Sequence, residues 1–325
     1  MFVMKTKRGL RIILIGFSIV IGNLIGFLLG KNFTFWERNN WSIGIYRGFN
    51  PFSLKPSTKV INPILTAKHV TDVKAEFVAD PFFIKENSKW YLFFEVMNSK
   101  TKKGEIGFAT SENGWDWTYE RIVISESFHL SYPCVFKNNN SFYMIPETTK
   151  TNSVRLYKAV EFPHNWKFVT KLLNGYHADP SIFKTDELWF LLTETKKYPY
   201  GTLRLFFAEN LTGPWKEHPK SPIIKDDPAR ARPAGRVITL NKNKIRFSQD
   251  STKNYGNSIR AFKITKITED DYEEKEIDNT PILAASGSGW NEKGMHHVDP
   301  FQINEKMWIA VVDGLASSKF FIIND

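Results

Sequence analysis

Hydrophobic and polar residues follow one block pattern along this chain, and that pattern returns five times. Each copy opens with a residue followed by proline, continues with an apolar run, turns through a short polar stretch and ends with a second apolar run closed by an acidic residue. Short apolar runs around a polar turn are typical of a β-hairpin rather than of helices. The copies span residues 80–95, 132–147, 179–194, 232–250 and 299–313.

A second, more polar pair of predicted strands lies between successive hairpins. These segments share a strand-turn-strand pattern and cover residues 104–124, 152–173, 201–224 and 257–277. Four strands in each repeating unit make one blade of a β-propeller. The inner runs are apolar on both faces, as expected of strands packed between neighbouring blades. The predicted fold is therefore all-β, a five-bladed β-propeller over residues 36–325.

The fifth unit has no outer pair of its own, because few residues follow Asp313. A matching strand-turn-strand pattern occurs at residues 41–65, ahead of the first hairpin. We expect these N-terminal strands to complete the last blade. Closing the ring in this way removes the unpaired edges that an open sheet would expose.

An apolar segment precedes the propeller. Residues 10–29 contain no acid and one basic residue, and a helix of this length spans the hydrocarbon core of a membrane. We expect residues 1–9 to be a basic cytoplasmic tail and residues 10–30 a transmembrane signal anchor, with a cleavable signal peptide as the alternative. Gly22, Gly26 and Gly30 have a spacing that could dimerise such helices.

The orientation of this segment follows from its flanking charges. Four basic residues precede or open it and one follows it closely: Lys5, Lys7, Arg8, Arg11 and Lys31. This asymmetry predicts a single-pass protein with its N-terminus in the cytoplasm and its propeller on the other side. The same five residues carry half of the formal charge of +10, so the propeller has no basic nucleic-acid footprint.

Cysteine and histidine usage gives no sign of a metal or cofactor site. Cys134 is the only cysteine, which excludes an intramolecular disulfide and a thiolate cluster. His177 and His297 each stand two residues before an aspartate, without a third ligand at a diagnostic spacing. We therefore expect no metal and no cofactor.

The hairpins indicate where chemistry could occur. The first and last residues of an antiparallel hairpin lie side by side, so five such hairpins bring their open ends to one mouth of the central channel. Crowded carboxylates shift one another's pKa values and can separate acid from base roles. Each of them could instead cap a strand, as Asp before Pro often does. The predicted mouth residues are Asp80, Glu95, Tyr132, Glu147, Asp179, Glu194, Arg232, Asp250, Asp299 and Asp313, with His177 and His297 close by.

Several motifs together resemble a known family. The hairpin ADPFF to WYLFFE, the turn SENGWDW and the stretches YMIPE, HADPS and HHVDPF are similar to the N-terminal domain of plant glucosamine inositolphosphorylceramide transferases and its bacterial relatives. That domain resembles the five-bladed propeller of glycoside hydrolase families 43 and 32. The likeness covers residues 41–315. In the plant enzymes a separate C-terminal domain is thought to perform the transfer, so the resemblance does not imply that activity here.

The hydrolase resemblance implies roles for individual residues. Asp80 matches the position of the base or nucleophile, and Asp179 matches the aspartate that orients the acid. The family's general acid opens blade four, where this chain has Arg232. In a hydrolytic site Glu147 would be the first choice to replace it.

Three classes of function remain open from the sequence. The first is a membrane-anchored module that recognises or processes a carbohydrate or glycolipid, in polysaccharide or glycolipid biosynthesis, with Arg232 available for a phosphate or acidic sugar. The second is a glycosidase or transglycosidase that uses Asp80, Asp179 and Glu147. The third is a scaffold for protein partners. Residues expected to bind substrate are Arg232, Glu194, Asp250, His177, His297, Asp299 and Trp290, the last by stacking on a sugar ring.

Overall fold

A computed structural model describes residues 32–195 and 201–324, without the side chains of 32–38 and 318–324. The predicted membrane segment 10–30, with its proposed dimer contact, lies outside these residues. Within the part of the chain that is described, no helix has the length and apolar character needed to span a bilayer. By its internal contacts the chain divides into residues 40–316, which hold the propeller, and a small unit of residues 1–39 and 317–325 whose described backbone is extended strand.

Strands make up nearly all of the regular structure in the residues described. In chain order they are β1 (Asn32–Gly48), β2 (Lys55–Pro56), β3 (Ala75–Glu86), β4 (Lys89–Asn98), β5 (Lys103–Ser111), β6 (Thr118–Ile124), β7 (Ser131–Asn138), β8 (Ser141–Glu147), β9 (Ser153–Glu161), β10 (Asn165–Asn174), β11 (Ala178–Lys184), β12 (Trp189–Glu194), β13 (Leu203–Ala208), β14 (Lys216–Glu217), β15 (Ile238–Leu240), β16 (Asn243–Asp250), β17 (Ser258–Ile267), β18 (Tyr272–Glu276), β19 (Leu283–Ala284), β20 (Val298–Asn304) and β21 (Met307–Asn324). Three single-turn 3₁₀ helices lie at Ala67–His69, Thr149–Thr151 and Gly289–Asn291.

The described strands form five antiparallel sheets, one for each predicted blade. Blades one to four follow the chain as β3–β6, β7–β10, β11–β14 and β15–β18, with β19 added beside β17. The fifth sheet has the order β2-β1-β21-β20. Its outer pair therefore comes from the N-terminal segment, which confirms the predicted ring closure.

The inner strands are buried because their apolar runs pack against both neighbouring blades. In β4 the consecutive residues Leu92, Phe93 and Phe94 have no exposed surface, so both faces of the strand are covered. Phe93 and Phe94 belong to different apolar clusters, one towards blade two and one towards blade five. Burying this much aromatic surface is the main driving force for stacking the blades.

Blade four departs from the predicted hairpin. Its innermost strand β15 has three residues and begins at Ile238, six residues after Arg232. Gly235 has a φ of 135°, and a Cβ there would lie 1.9 Å from the Val298 carbonyl oxygen. The Gln249 N–H still donates to the Arg232 carbonyl at 2.8 Å and the Ala234 N–H to that of Phe247 at 3.1 Å, so the ends of the predicted hairpin pair and the regular ladder is interrupted around Gly235. Residues 232–237 are called the blade-four loop.

Candidate functional site

The open ends of the hairpins meet as the antiparallel register requires. Ala79 pairs with Glu95, Ser131 with Glu147, and Ala178 with Glu194, so each closing acid lies beside the residue that precedes an opening X-Pro pair. We call this group of residues the mouth, because contacts or mutual charge effects link them at the open ends of the hairpins. They are Asp80, Glu95, Glu147, Asp179, Glu194, Arg232, His296 and Asp313.

Three opening residues have an unusual backbone conformation. Asp80, Tyr132 and Asp179 have φ values of 53°, 47° and 47°, the left-handed region that non-glycine residues seldom occupy. The pairing register of each inner strand shifts at the same point, so each of these residues sits in a bulge. The proline after it therefore lies in the bulge, where a missing N–H costs no ladder hydrogen bond.

Carboxylates from neighbouring blades stabilise these strained turns. The backbone N–H of Asp80 donates to Asp313 Oδ2 at 3.1 Å, that of Tyr132 to Asp80 Oδ2 at 3.2 Å, and that of Asp179 to Glu147 Oε2 at 3.1 Å. Hydrogen bonds from a backbone N–H to a buried carboxylate are among the stronger ones in proteins. Asp80, Glu147 and Asp313 thus join adjacent blades, and this structural role exists beside any role towards a ligand.

One half of the mouth is organised around an arginine. Arg232 Nε donates to Asp179 Oδ2 at 2.6 Å, while its Nη2 lies 3.5 Å from Glu147 Oε2 and its Nη1 3.9 Å from Glu194 Oε2. Gln249 also donates to Asp179 Oδ2, at 2.8 Å. We call Arg232, Asp179, Glu147, Glu194 and Gln249 the arginine cluster. Its guanidinium is buried among three carboxylates that already compensate its charge.

The other half is organised around a histidine. His296 Nδ1 lies 2.7 Å from Asp313 Oδ2, and its Nε2 lies 3.5 Å from Asp80 Oδ1. The indole of Trp41 stacks on the imidazole with ring centroids 3.9 Å apart. We call His296, Asp80, Asp313 and Trp41 the histidine cluster. Tyr255 bridges the two clusters, since its ring lies 5.3 Å from the imidazole and 5.2 Å from the Arg232 guanidinium.

The mouth contains acids that titrate near neutral pH. Burial raises the pKa of Asp80 to about 7, with Asp179 and Asp313 adding to the rise while His296 and Arg232 oppose it. Burial likewise raises the pKa of Asp179 to about 7 against the effect of Arg232, and that of Glu194 to about 7. Burial also raises the pKa of Glu95 well above its usual range. Asp80, Asp179 and Glu194 can therefore exchange protons near neutral pH.

The pKa of His296 is raised, which favours its protonated form. Burial alone would lower its pKa, but the charges of Asp313, Asp80 and Asp179 outweigh burial and raise it. Next to it, burial lowers the pKa of His297 to about 3. The pKa values of these two adjacent histidines therefore shift in opposite directions, because the carboxylate charges outweigh burial at His296 and burial outweighs them at His297.

Asp80, His296 and Asp313 are close enough to hold a metal ion, with donor atoms within 4.8 Å of one another. The carboxylate of Asp313 is already engaged. Its Oδ1 accepts the backbone N–H groups of His296 and His297, and its Oδ2 accepts that of Asp80. His296 faces Asp313 Oδ2 at 2.7 Å and Asp80 Oδ1 at 3.5 Å, so the three residues form an internal ion-pair network.

Other predicted residues lie in different surroundings. Asp299 accepts two hydrogen bonds from Arg236, at 2.8 and 3.0 Å, and one from the backbone of Phe83. His297 has no exposed surface and faces the rings of Phe82 and Tyr132. These contacts are those of residues that hold the blades together around the channel.

Three further predicted residues also have structural partners. His177 Nε2 lies 3.0 Å from the backbone oxygen of Asn174, and Asp250 is paired with Arg260 at 2.8 Å. Trp290 packs against the backbone of Gly44, where a Cβ would lie 2.6 Å from the indole. The sugar-stacking role predicted for Trp290 has no support in these contacts.

Tyr132 forms part of the channel floor. Its hydroxyl lies 2.7 Å from Ser181 Oγ and donates to the Gly235 carbonyl at 3.0 Å, while the Gly235 N–H donates back to it at 2.7 Å. A tyrosine thus fills the position where blades one and three have an aspartate. The interior below the mouth is occupied by side chains.

Sequence reasoning missed three residues of the mouth and its rim. The sequence pattern places Trp41 only at the start of an outer strand, Tyr255 lies in the loop after β16, and the spacing to Asp299 points to His297 rather than to His296. The double histidine was visible in the sequence, but which ring points at Asp80 depends on the turn before β20. The contact of Trp41 with His296 depends on ring closure, which brings the two chain ends into one blade.

Comparison with other sequences identifies the family of this chain. Residues 36–315 match the family model described as "Glucosamine inositolphosphorylceramide transferase 1, N-terminal". The curated protein of that name from Oryza sativa subsp. japonica is 34% identical over 296 residues, which cover 85% of this chain and 40% of the relative. The chain thus spans less than half the length of this relative. The family resemblance inferred from the motifs is confirmed.

Solved structures share the fold at low sequence identity. The β-1,2-mannobiose phosphorylase from Listeria innocua aligns with a TM-score of 0.59 and 12% identity, covering 82% of this chain and 96% of that one. The family 32 β-fructofuranosidase from Bombyx mori aligns with a TM-score of 0.55 and 13% identity, covering 77% and 58%. These likenesses establish the five-bladed fold that glycoside hydrolases also adopt.

Proposed function

Because the chain belongs to the family of glucosamine inositolphosphorylceramide transferase N-terminal domains, we propose that it is a carbohydrate-recognition propeller acting in the assembly of a glycan or glycolipid. The transfer reaction named for the relatives belongs to proteins more than twice as long as the matched region. We assign this chain the recognition of a sugar group. The predicted anchor at residues 10–30 would hold it at a membrane.

One observation carries the proposal: the mouth concentrates buried, preoriented polar groups at one end of the channel. Asp80, Glu95, Asp179 and Glu194 are each at most 6% exposed. Sugars present many hydroxyl groups, and a buried site with fixed donors and acceptors rejects molecules that lack them. A scaffold for protein partners would instead need an extended exposed surface.

The charge of the mouth indicates which sugars fit. Six carboxyl groups face two cations, and the three carboxylates nearest Arg232 already surround it. An acidic or phosphorylated sugar would meet like charges, whereas an ammonium group would be stabilised. We therefore propose a neutral or amino sugar as the ligand, in place of the acidic ligand that Arg232 alone suggested. The relatives' name includes glucosamine, which agrees with this class.

The test is a glycan-array screen with the full chain, followed by calorimetry on the glycans that bind. Asp179→Asn keeps the shape of the side chain, removes its charge and should weaken binding at least tenfold. Asp186→Asn is the matched control, because Asp186 is exposed in the turn between β11 and β12, at the other end of the hairpin. Absence of binding to any glycan, or equal binding by both variants, would overturn the proposal.

A glycosidase remains the second candidate because Asp80 and Asp179 both have a pKa of about 7 and match hydrolase positions. Glu147, the acid suggested by the sequence, accepts from the Asp179 N–H and lies beside Arg232, so its carboxylate is already engaged in joining blades two and three. Glu194, buried with Oε2 3.9 Å from Arg232, is the better acid. Release of reducing sugar from a bound glycan, abolished by Glu194→Gln but not by Glu147→Gln, would identify this activity.

A further inference from the structure

We propose that His296 and Asp80 together bind one hydroxyl group of the sugar, with His296 Nε2 as donor and Asp80 Oδ1 as acceptor. The inference rests on the proposed function, because it assumes that the mouth binds a sugar. It assigns to His296 a role that neither the motifs nor the hydrolase resemblance indicated. It also specifies what the ligand must present: a hydroxyl that can accept and donate at the same time.

The imidazole is held in one orientation from several sides. Nδ1 faces Asp313 Oδ2 at 2.7 Å, and the backbone N–H of His296 donates to Asp313 Oδ1 at 3.1 Å. Trp41 covers one ring face, with an interplanar angle of 25°, and Tyr255 meets the imidazole edge-on. With Nδ1 engaged, the remaining nitrogen Nε2 is directed at Asp80. Such preorientation lowers the entropic cost of binding a ligand.

One hydroxyl group can contact both atoms. Nε2 and Oδ1 are 3.5 Å apart, which is too long for a strong direct hydrogen bond and too short for a hydroxyl to lie between them. A hydroxyl oxygen beside the pair, about 2.8 Å from each atom, would accept from Nε2 and donate to Oδ1, with a small widening of the gap to straighten the two hydrogen bonds. A hydroxyl both donates and accepts, so it matches a protonated nitrogen beside a carboxylate.

A hydrogen bond to Asp80 Oδ2 sets the orientation of the carboxylate and therefore the position of Oδ1. Oδ2 accepts the backbone N–H of Tyr132 at 3.2 Å, so Oδ1 is left to face the histidines, with His296 Nε2 at 3.5 Å and His297 Nδ1 at 3.8 Å. His297 stays neutral near physiological pH, as burial lowers its pKa to about 3. His296 is therefore the cation of this pair.

The donor exists only while His296 is doubly protonated. Loss of one proton would leave Nδ1–H on Asp313 and turn Nε2 into an acceptor, which repels the acceptor Asp80. Six groups from different segments face this pair: Asp313 on β21, Asp179 on β11, Arg232 in the blade-four loop, His297 before β20, and the uncharged rings of Trp41 on β1 and Tyr255 after β16. The carboxylates outweigh burial, so the protonated form persists above the ordinary histidine range.

The experiment compares two variants of the full chain by calorimetry with methyl glucosaminide as the probe. His296→Phe keeps an aromatic ring against Trp41 but has no donor, so affinity should fall at least tenfold. His296→Gln keeps an N–H near the position of Nε2 and should lose only a few-fold. Affinity of the unaltered protein should fall as pH rises through the His296 transition, and this fall should be smaller in His296→Gln, where only the other groups of the mouth and the probe amine titrate.

A ligand series tests the same pair without altering the protein. Of the probe analogues that each lack one hydroxyl, one should bind the unaltered protein at least tenfold more weakly, and His296→Phe should no longer distinguish it from the probe. Equal binding of all analogues by the unaltered protein, or full affinity in a folded His296→Phe variant, would overturn the inference and leave the proposed function standing. Failure of every glycan on the array to bind would instead overturn both.

Discussion

The two halves of the mouth are built from the same kind of hairpin but are neutralised by different cations. In the arginine cluster, Asp179 faces a guanidinium that stays charged at every accessible pH. In the histidine cluster, Asp80 faces an imidazole whose charge depends on pH. The first half is thus a fixed ion-pair network, and the second can respond to protons and to a ligand. The same strand position supports both because the partner comes from another blade.

Breaking the ring should have the largest effect, since the histidine cluster depends on it. A chain that begins near Thr71 lacks β1 and β2, which exposes β21 as an edge and removes Trp41 from His296. We expect aggregation and loss of the cooperative melting transition. Sedimentation and calorimetry measure this, and a monomeric truncated chain that melts like the parent would contradict ring closure.

Removing the arginine of the arginine cluster should cause the second-largest loss of stability. Arg232→Ala would leave Asp179, Glu147 and Glu194 without their counter-charge in a buried site, at a cost of about 3–5 kcal/mol. Arg260→Ala is the matched control, because its pair with Asp250 is partly exposed and is worth less than about 1 kcal/mol. Thermal unfolding of both variants measures the difference. Equal melting temperatures would show that the arginine cluster is not what holds this half together.

Replacing Asp313 in the histidine cluster should cause a smaller loss of stability. Asp313→Asn places an amide where the carboxylate accepts the N–H groups of Asp80, His296 and His297, and we expect a loss of about 1–3 kcal/mol. The pKa of His296 should fall at the same time, because its main favourable charge is gone. Asp116→Asn, on an exposed turn, should change neither quantity. If the pKa of His296 were unchanged in Asp313→Asn, Asp313 would not be the group that raises it.

The dependence of stability on pH gives a further prediction. Asp80, Asp179 and Glu194 have ordinary values of 3.8, 3.8 and 4.5 but pKa values of about 7 in the fold, so the native state binds more protons than the unfolded chain between about pH 4 and 7. Stability should therefore fall as pH rises through this window. The raised pKa of His296 has the same sign, since its contribution is lost as pH rises.

Urea unfolding across this pH range measures the trend. Asp80→Asn should reduce the slope, because an amide cannot titrate. Asp313 acts with the opposite sign, since His296 and hydrogen bonds outweigh burial and lower its pKa, but its contribution is lost only as pH falls below the ordinary aspartate range. Stability that rises steadily between pH 5 and 8 would contradict the assignment of buried, near-neutral acids.

The predictability of the fold and of the site differs for a physical reason. Hairpins such as 80–95 can be recognised in the sequence because strand-forming residues and turn residues are local signals. The number of predicted strands then indicates that the N-terminal segment closes the last blade. The arginine cluster was only half visible: Arg232 and Asp179 open successive blades, but nothing local indicates that the arginine faces three carboxylates. The His296 contacts join segments more than two hundred residues apart in sequence. Such contacts depend on the closed ring.

NMR titration of the His296 imidazole tests the central comparison most directly, with ¹⁵N-labelled histidines and the resonance assigned by its absence in His296→Gln. The pKa of His296 should lie above the ordinary value of 6.5, and the resonance should shift when methyl glucosaminide is added. The Asp313→Asn variant should lower the titration midpoint. A midpoint below 6.5, or a resonance that does not respond to saturating sugar, would contradict the view that this half of the mouth is the proton-sensitive, ligand-facing one.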